Sequence, residues 1–306
     1  MVTTMKRRGF LAGAATVLAA GGGCITVSAA ETTETHRYGI GDERVTVDNP
    51  AGDVTVRTED REDVHVRARK RDSMGNEGAF SKLSVTTTRA DGTFALDVED
   101  DTDPGLADTT SLDLDVTVPA SNRVTDVDVA DGDVDLHGTV GDLTVDADDG
   151  DVSIRSVDGA VTAEAGDGDL TIDGVSGDAT ATLGDGDATV QGVDGAVSLD
   201  GSDGDLTVTD PGSIDEVTGG DGDVSVEVPA LAGDATISVG DGDLELSLSP
   251  DLDAELTLTV GDGDLGVSGF DFVRGEGVKR VETTLGDGAH ALDVSAGDGD
   301  VSISRL

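Results

Sequence analysis

Aspartate pairs are the residues whose type and spacing could do chemistry in this chain. Asp-Gly-Asp recurs at 131, 149, 167, 185, 203 and 221, an interval of 18 residues held five times, and again at 241, 262 and 298. Two chemistries use carboxylates arrayed in this way. A hard cation such as Ca²⁺ takes about six to eight oxygens and could bridge successive repeats. Its ligands would come from Asp167, Asp169, Asp185, Asp187, Asp203 and Asp205. Acid–base cleavage of a polysaccharide instead needs a carboxyl whose singular environment raises its pKa. Residues repeated in every unit lack that singularity, and a chain with no Trp and one Tyr has little to shape a sugar cleft. The reading is no catalytic residue and no cofactor, with Ca²⁺ as the alternative and a polysaccharide-active β-helix enzyme as the remote one.

Other chemistries are poorly supplied. His36, His65, His137 and His290 are scattered, with no pair at metal-ligand spacing, and read as solvated strand residues. The glycines precede strands rather than helices, so no helix N-terminus is offered to a phosphate. The single cysteine, Cys24, cannot form an internal disulfide.

The elements that must position the aspartates are strands. Each unit has two halves, such as "GDGDLTID" and "SGDATATL", in which apolar residues alternate with period 2. One apolar column runs Val134, Val152, Leu170, Ala188, Leu206, Val224 and a second runs Leu136, Ile154, Ile172, Val190, Val208, Val226. The other half supplies Leu143, Val161, Ala179, Val197 and Val145, Ala163, Ala181, Leu199. Thr171, Thr180, Thr182, Ser198 and Thr207 fall on the opposite face. Columns at constant spacing mean that unit stacks on unit, with parallel strands about 4.8 Å apart. The expected fold is all-β, a right-handed parallel β-solenoid (β-helix) with about 18 residues and two strands per coil. An antiparallel sandwich is the rival, but it would not require a constant period.

Glycine at each corner supplies the left-handed backbone of a tight turn, and Asp beside it bonds its own backbone. Turn chemistry therefore accounts for the triplet, but a stack brings like charges together. Two carboxylates about 4.8 Å apart repel by roughly 0.9 kcal/mol even in water. Molar salt, with a Debye length of about 3 Å, would screen them. So would Ca²⁺, but "GGDGDVSV" (219–226) departs from the Gly-Gly-x-Gly-x-Asp-x-apolar pattern of calcium β-rolls by placing Val224 at the ligand position. Salt screening is the preferred reading.

Composition agrees with it. Against 65 acidic residues stand 19 basic ones, a formal net charge of -46, and Lys appears only at 6, 70, 82 and 279. Such a chain repels nucleic acid and anionic headgroups, and an Asp-rich, Lys-poor surface suits a halophile. Apolar residues at 36% recurring in register argue against an acidic disordered chain.

The first residues carry an export pattern. Arg7-Arg8, followed by Gly9-Phe10-Leu11 and an apolar run to Ala20, resembles a twin-arginine signal, although Lys6 replaces the usual Ser or Thr. Cys24 lies where lipoprotein signals place the lipidated residue, and Ser28-Ala29-Ala30 offers a rival cleavage site for simple secretion. The expectation is a lipid anchor at Cys24 on the extracellular face of the cytoplasmic membrane, or alternatively a secreted protein.

The run "LDLDVTVPASNRVTDVDVADGDVDLHGTVGDLTVDADDGDVSI" (112–154) resembles the family of "putative adhesins", β-strand-repeat proteins, over residues 36–306. The resemblance implies an exported or membrane-associated β-solenoid without known catalysis. Three segments are expected: a signal over 1–30, an irregular β part over 31–111 capping the solenoid, and Gly-Asp repeats over 112–306. The stretch 72–80 reads as loop. The function read from these features is a non-enzymatic surface scaffold or adhesion protein with a cell-envelope partner, and a calcium-binding module is the alternative.

Overall fold

The computed structural model describes residues 29–102, 109–272 and 277–306. Arg7, Arg8 and Cys24, the residues of the export and lipid-attachment expectations, lie outside the described residues.

Alternation of β-branched or aliphatic residues with polar ones makes strands that bury one face. Seven precede the regular repeats: β1 (Ala30–Gly39), β2 (Arg44–Asn49), β3 (Val54–Glu59), β4 (Asp63–Asp72), β5 (Leu83–Ala90), β6 (Thr93–Asp100) and β7 (Thr110–Pro119). The repeats begin with β8 (Val124–Asp131), β9 (Val134–His137), β10 (Leu143–Asp149), β11 (Val152–Val157), β12 (Val161–Asp167), β13 (Leu170–Val175) and β14 (Ala179–Asp185). They continue as β15 (Ala188–Asp203), β16 (Leu206–Asp221), β17 (Val224–Val228), β18 (Ala235–Asp241) and β19 (Leu244–Leu248). The last are β20 (Ala254–Val260), β21 (Leu265–Val267), β22 (Arg280–Leu285), β23 (His290–Asp298) and β24 (Val301–Arg305).

The chain visits two parallel ladders in turn. In the first, β8, β10, β12 and β14 pair so that Asp131, Asp149, Asp167 and Asp185 stand opposite one another in succession. In the second, β9, β11 and β13 bring Val134, Val152 and Leu170 together. The long strands β15 and β16 cross a corner and serve both ladders. The expected apolar columns are buried, Leu136, Ile154 and Ile172 fully, and form one continuous core between the ladders. Outward Thr180 and Thr182 are exposed.

The order of stacking departs from the sequence at the C-terminal end. Intervals of 20, 21 and 36 between the late triplets predict successive units with insertions, but Asp241 pairs with Asp298 rather than Asp262. The last unit is threaded inward. Strand β23 lies between β18 and β20, β24 lies between β19 and β21, and antiparallel β22 covers the outer edge of β20. Threading leaves the regular β23 and β24 paired on both sides, and a charged antiparallel strand closes an edge that would otherwise template association.

The N-terminal end uses the same device. Strands β2 and β3 pair with β8 and β9, while β6 and β7 lie outside them. Antiparallel β5, β4 and β1 then cover β6, β7 and β4 respectively. Within the stretch 72–80 expected as loop, Glu77 opens a short 3₁₀ turn that runs to Ser81. Buried Lys70 ties this turn to β1, its Nζ donating to Glu34 Oε1 at 2.8 Å and to the Phe80 carbonyl at 3.2 Å. Pro119 is the last residue of β7 and Pro229 follows β17, as a residue without a backbone N–H should. Among the described residues the aromatic rings gather at the two ends: Tyr38 meets Phe94 at 5.4 Å and Phe270 meets Phe272 at 5.4 Å. Only there does a unit lack an identical neighbour, so bulk must fill what an aliphatic column fills elsewhere.

Packing makes two testable statements. Ile172→Ala should cost about 2–5 kcal/mol in denaturant unfolding, and Ile172→Asp should unfold several units; a normally folded Asp variant would mean that the faces are reversed. Ser156 sits at φ 60° in a column whose neighbours are Gly138 at 76°, Gly174 at 73° and Gly192 at 64°. Ser156→Gly should therefore raise stability by roughly 0.5–1 kcal/mol, read as an increased denaturation midpoint.

Candidate functional site: the acidic corners and the charged faces

Each member of the Asp-Gly-Asp triplet has a separate place. The first Asp ends a strand of the first ladder and is exposed at 167, 185 and 203, where its carboxylate makes no hydrogen bond or ion pair among the described residues. The glycine has φ between 116° and 152° at Gly132, Gly150, Gly168, Gly186, Gly204, Gly222, Gly242 and Gly299. It also lies against the neighbouring unit: a Cβ on Gly52 would fall 2.6 Å from the Leu112 carbonyl oxygen, and one on Gly132 2.5 Å from that of Gly52. No other residue satisfies both conditions.

The second Asp accepts a hydrogen bond from the next unit. Asp151, Asp169, Asp187, Asp205, Asp223 and Asp243 each donate their backbone N–H to the carboxylate one unit back, at 2.9–3.0 Å. The series starts earlier, with Asp133 N–H on Asp53 at 3.3 Å, and ends with Asp300 on Asp243 and Asp264 on Asp300, both at 2.8 Å. It follows the threaded order of the units, not the order of the sequence. The opposite corner repeats the motif at alternate units, where Asp142 and Asp178 accept from Ala160 and Ala196 at 3.1 and 2.9 Å. Of the six expected metal ligands, Asp169, Asp187 and Asp205 thus have one oxygen committed to backbone, and Asp167, Asp185 and Asp203 form a separate row. Among the described residues no group of three or more His, Cys, Asp or Glu is arranged to hold a metal ion.

At the N-terminal end of the corner series, Asp113 also accepts from the Asp53 backbone. It is nearly buried and paired with Arg71. Burial pushes its carboxyl up, while Arg71 pulls it down. A cavity of about 290 Å³ lies beside it, lined by Asp53, Arg71, Ser73, Ser111 and Asp131 among others.

The mid-strand faces carry a charge pattern that the repeat alone does not announce. Across the outer face of the first ladder, Asp97, Asp48, Asp128, Asp146 and Glu164 are lateral neighbours on β6, β2, β8, β10 and β12. Burial and the adjacent carboxylates raise Asp97 and Asp128 above the ordinary Asp value. Across the outer face of the second ladder, Arg37, His65, Thr117, Arg57, His137 and Arg155 are lateral neighbours on β1, β4, β7, β3, β9 and β11. His65 and His137 are strand residues facing outward, as expected, but they stand in a row with arginines rather than apart. Asp128, Asp146 and Glu164 follow the 18-residue period, as do His137 and Arg155, but the members on β6, β2, β1, β4, β7 and β3 join out of sequence order, so spacing alone could not complete the rows.

Two substitutions separate backbone capping from charge. Asp187→Asn keeps the acceptor and should leave stability unchanged or raised at low salt, whereas Asp187→Ala should cost about 0.5–1.5 kcal/mol by thermal or chemical unfolding. Equal losses in both would contradict capping. Asp128 has a raised folded pKa, so its contribution to stability is fully present below the unfolded value of about 3.9 and is lost as pH rises through the folded value. Asp128→Asn should therefore be the more stable protein at pH 7, with the advantage vanishing near pH 3.

No curated protein matches the chain. Solved structures that resemble it include one described as a putative adhesin from Bacteroides fragilis, 13% identical, covering 89% of this chain and 96% of that chain with a TM-score of 0.43. A protein of the same description from Parabacteroides merdae is 10% identical, with the same coverage of 89% and 96% and a TM-score of 0.43. A protein from Parabacteroides distasonis described as a putative lipid binding protein is 12% identical, covering 88% of this chain and 96% of that chain with a TM-score of 0.41. The Toastrack DUF4097 family matches residues 43–304, nearly the whole of the described stack. The chain belongs to the Toastrack DUF4097 family.

Proposed function

We propose that this is a non-enzymatic, exported surface protein of a halophile, a right-handed parallel β-solenoid with about 18 residues and two strands per coil, whose long faces act as scaffold or adhesion surface. Lipid on Cys24 holds it outside the cytoplasmic membrane, and its partner belongs to the cell envelope. The observation that carries the reading is the corner series itself. The same glycine contact and the same carboxylate-to-backbone bond recur from Asp53 to Asp264, so the aspartates build length rather than one reactive centre. Arg7-Arg8, the apolar run and Cys24 support export and anchoring. An excess of 65 acids over 19 bases supports life in concentrated salt.

Calcium binding has narrower support, in the unpartnered row of Asp167, Asp185 and Asp203. Hydrolysis of a polysaccharide has less, because Asp113, the nearly buried carboxyl beside the corner series, is already engaged by Arg71 and the Asp53 backbone.

Fractionation of producing cells tests the anchor and the surface role together. The wild type should be retained with membranes and cleaved by protease added to intact cells, and Cys24→Ser should move it to the medium. Unchanged membrane retention of the variant would remove the lipid anchor, and resistance to external protease would remove the surface role. Cells lacking the protein should also attach less well to surfaces, and equal attachment would remove the adhesion reading.

A further inference from the structure

The charges are segregated along the stack. Ten basic residues fall between Arg37 and Arg89, and none occurs between Arg155 and Arg274. Two of the ten, Arg37 and Arg57, join Arg155 in the row Arg37, His65, Thr117, Arg57, His137, Arg155. At about 4.8 Å per strand this row is roughly 24 Å long. Arg37, Arg57, His137 and Arg155 are exposed, and His65 is half-buried. Arg57 has no ion pair or side-chain hydrogen bond among the described residues, in a chain where carboxylates outnumber cations more than threefold. Arg155 reaches Asp135 at 3.5 Å, and Asp115 and Asp135 flank the row two residues along their strands.

On the opposite outer face, over the same units, lies the carboxylate row Asp97, Asp48, Asp128, Asp146, Glu164. Asp48 precedes β3 and Arg57 by a single corner, and Asp128 precedes β9 and His137 in the same way. Both rows are mid-strand and run along the stack at the same strand spacing; the carboxylate row is charged on each of its five strands, whereas the other row carries arginine on three of its six strands, histidine on two and buried Thr117 on β7.

We propose that the cationic row of one copy docks on the carboxylate row of a second copy of this chain, giving a heterologous contact between opposite faces. Equal strand spacing lets Arg57 and Arg155 meet two carboxylates of the facing row, with His65 and His137 beside two more, without either sheet bending. Because the two rows face away from each other, the docked pair keeps a free acidic row on one copy and a free cationic row on the other. Such a contact does not close on itself and propagates into a string of copies. Long-range repulsion between chains of charge -46 opposes it at low salt. At about 1 M the Debye length is roughly 3 Å, so that repulsion is screened while groups in direct contact still attract.

Sedimentation velocity of the full chain tests this in 0.1 M and 1 M KCl, with circular dichroism as the check on folding. Wild type should associate beyond monomer, more strongly at 1 M. The triple variant Arg37→Glu, Arg57→Glu, Arg155→Glu should raise the dissociation constant at least tenfold, as should Asp48→Lys, Asp128→Lys, Asp146→Lys. An equimolar mixture of these two variants, whose altered rows are again complementary, should associate. A wild type that stays monomeric at every concentration, or folded variants that associate as well as wild type, would overturn the proposal. So would a mixture that stays monomeric. Binding of wild type to vesicles of anionic phospholipid through Arg37, Arg57 and Arg155, without self-association, would also overturn it and assign the row to a membrane.

Discussion

The fold depends on one close contact at the corner, where the glycine backbone of each Asp-Gly-Asp lies against the glycine carbonyl of the neighbouring unit. A Cβ on Gly132 would stand 2.5 Å from the Gly52 carbonyl oxygen, so only glycine permits the approach. Once two units come this near, their strands fall into register. Asp149 meets Asp167, Leu143 meets Val161 and Val152 meets Leu170. The apolar columns then close on one another without aromatic bulk. The second Asp completes the corner by accepting the N–H of the next unit, as Asp187 does for Asp205 at 2.9 Å. Each such carboxylate is both a charge repelled by its neighbours and an acceptor its neighbour requires.

That double role shapes the surface. Between Arg155 and Arg274 the sequence supplies no Lys or Arg to stand among the repeated carboxylates. At the N-terminal end the chain leaves its regular order, and arginines appear on strands that cover or join the stack. Threading at both ends thus does more than close exposed strand edges. It also brings Arg37 and Arg155, separated by more than a hundred residues, into one row.

Much of the fold was legible because identical units announce themselves. Period 2 within a unit and constant spacing between units identified the buried columns, and Ile154 and Ile172 are fully buried as those columns require. The stacking order at the C-terminal end was not legible. Asp262 follows Asp241 in the sequence and carries the same triplet, so pattern alone made them neighbours, whereas the structure gives that place to Asp298. That order leaves β23 and β24 paired on both sides and β22 over the edge of β20, an arrangement visible only in the assembled stack. The site was legible in part. Glycine as the corner residue followed from turn chemistry, but the role of the second Asp required knowing which backbone N–H it faces. The charged rows were legible only where Asp128, Asp146 and Glu164 or His137 and Arg155 follow the repeat, because Asp48, Asp97, Arg37, His65 and Arg57 join them from outside it.

The central claim is that the corner carboxylates serve as backbone acceptors, screened by dissolved salt, and not as divalent-cation ligands. Thermal unfolding followed by far-UV circular dichroism, across NaCl concentration and with millimolar Ca²⁺ or a chelator, tests it most directly. The account predicts that the midpoint rises with NaCl, and that millimolar Ca²⁺ adds nothing beyond its ionic strength. Recovery of folding at low NaCl by millimolar Ca²⁺, reversed by chelator, would contradict it and make the corner series a set of metal sites.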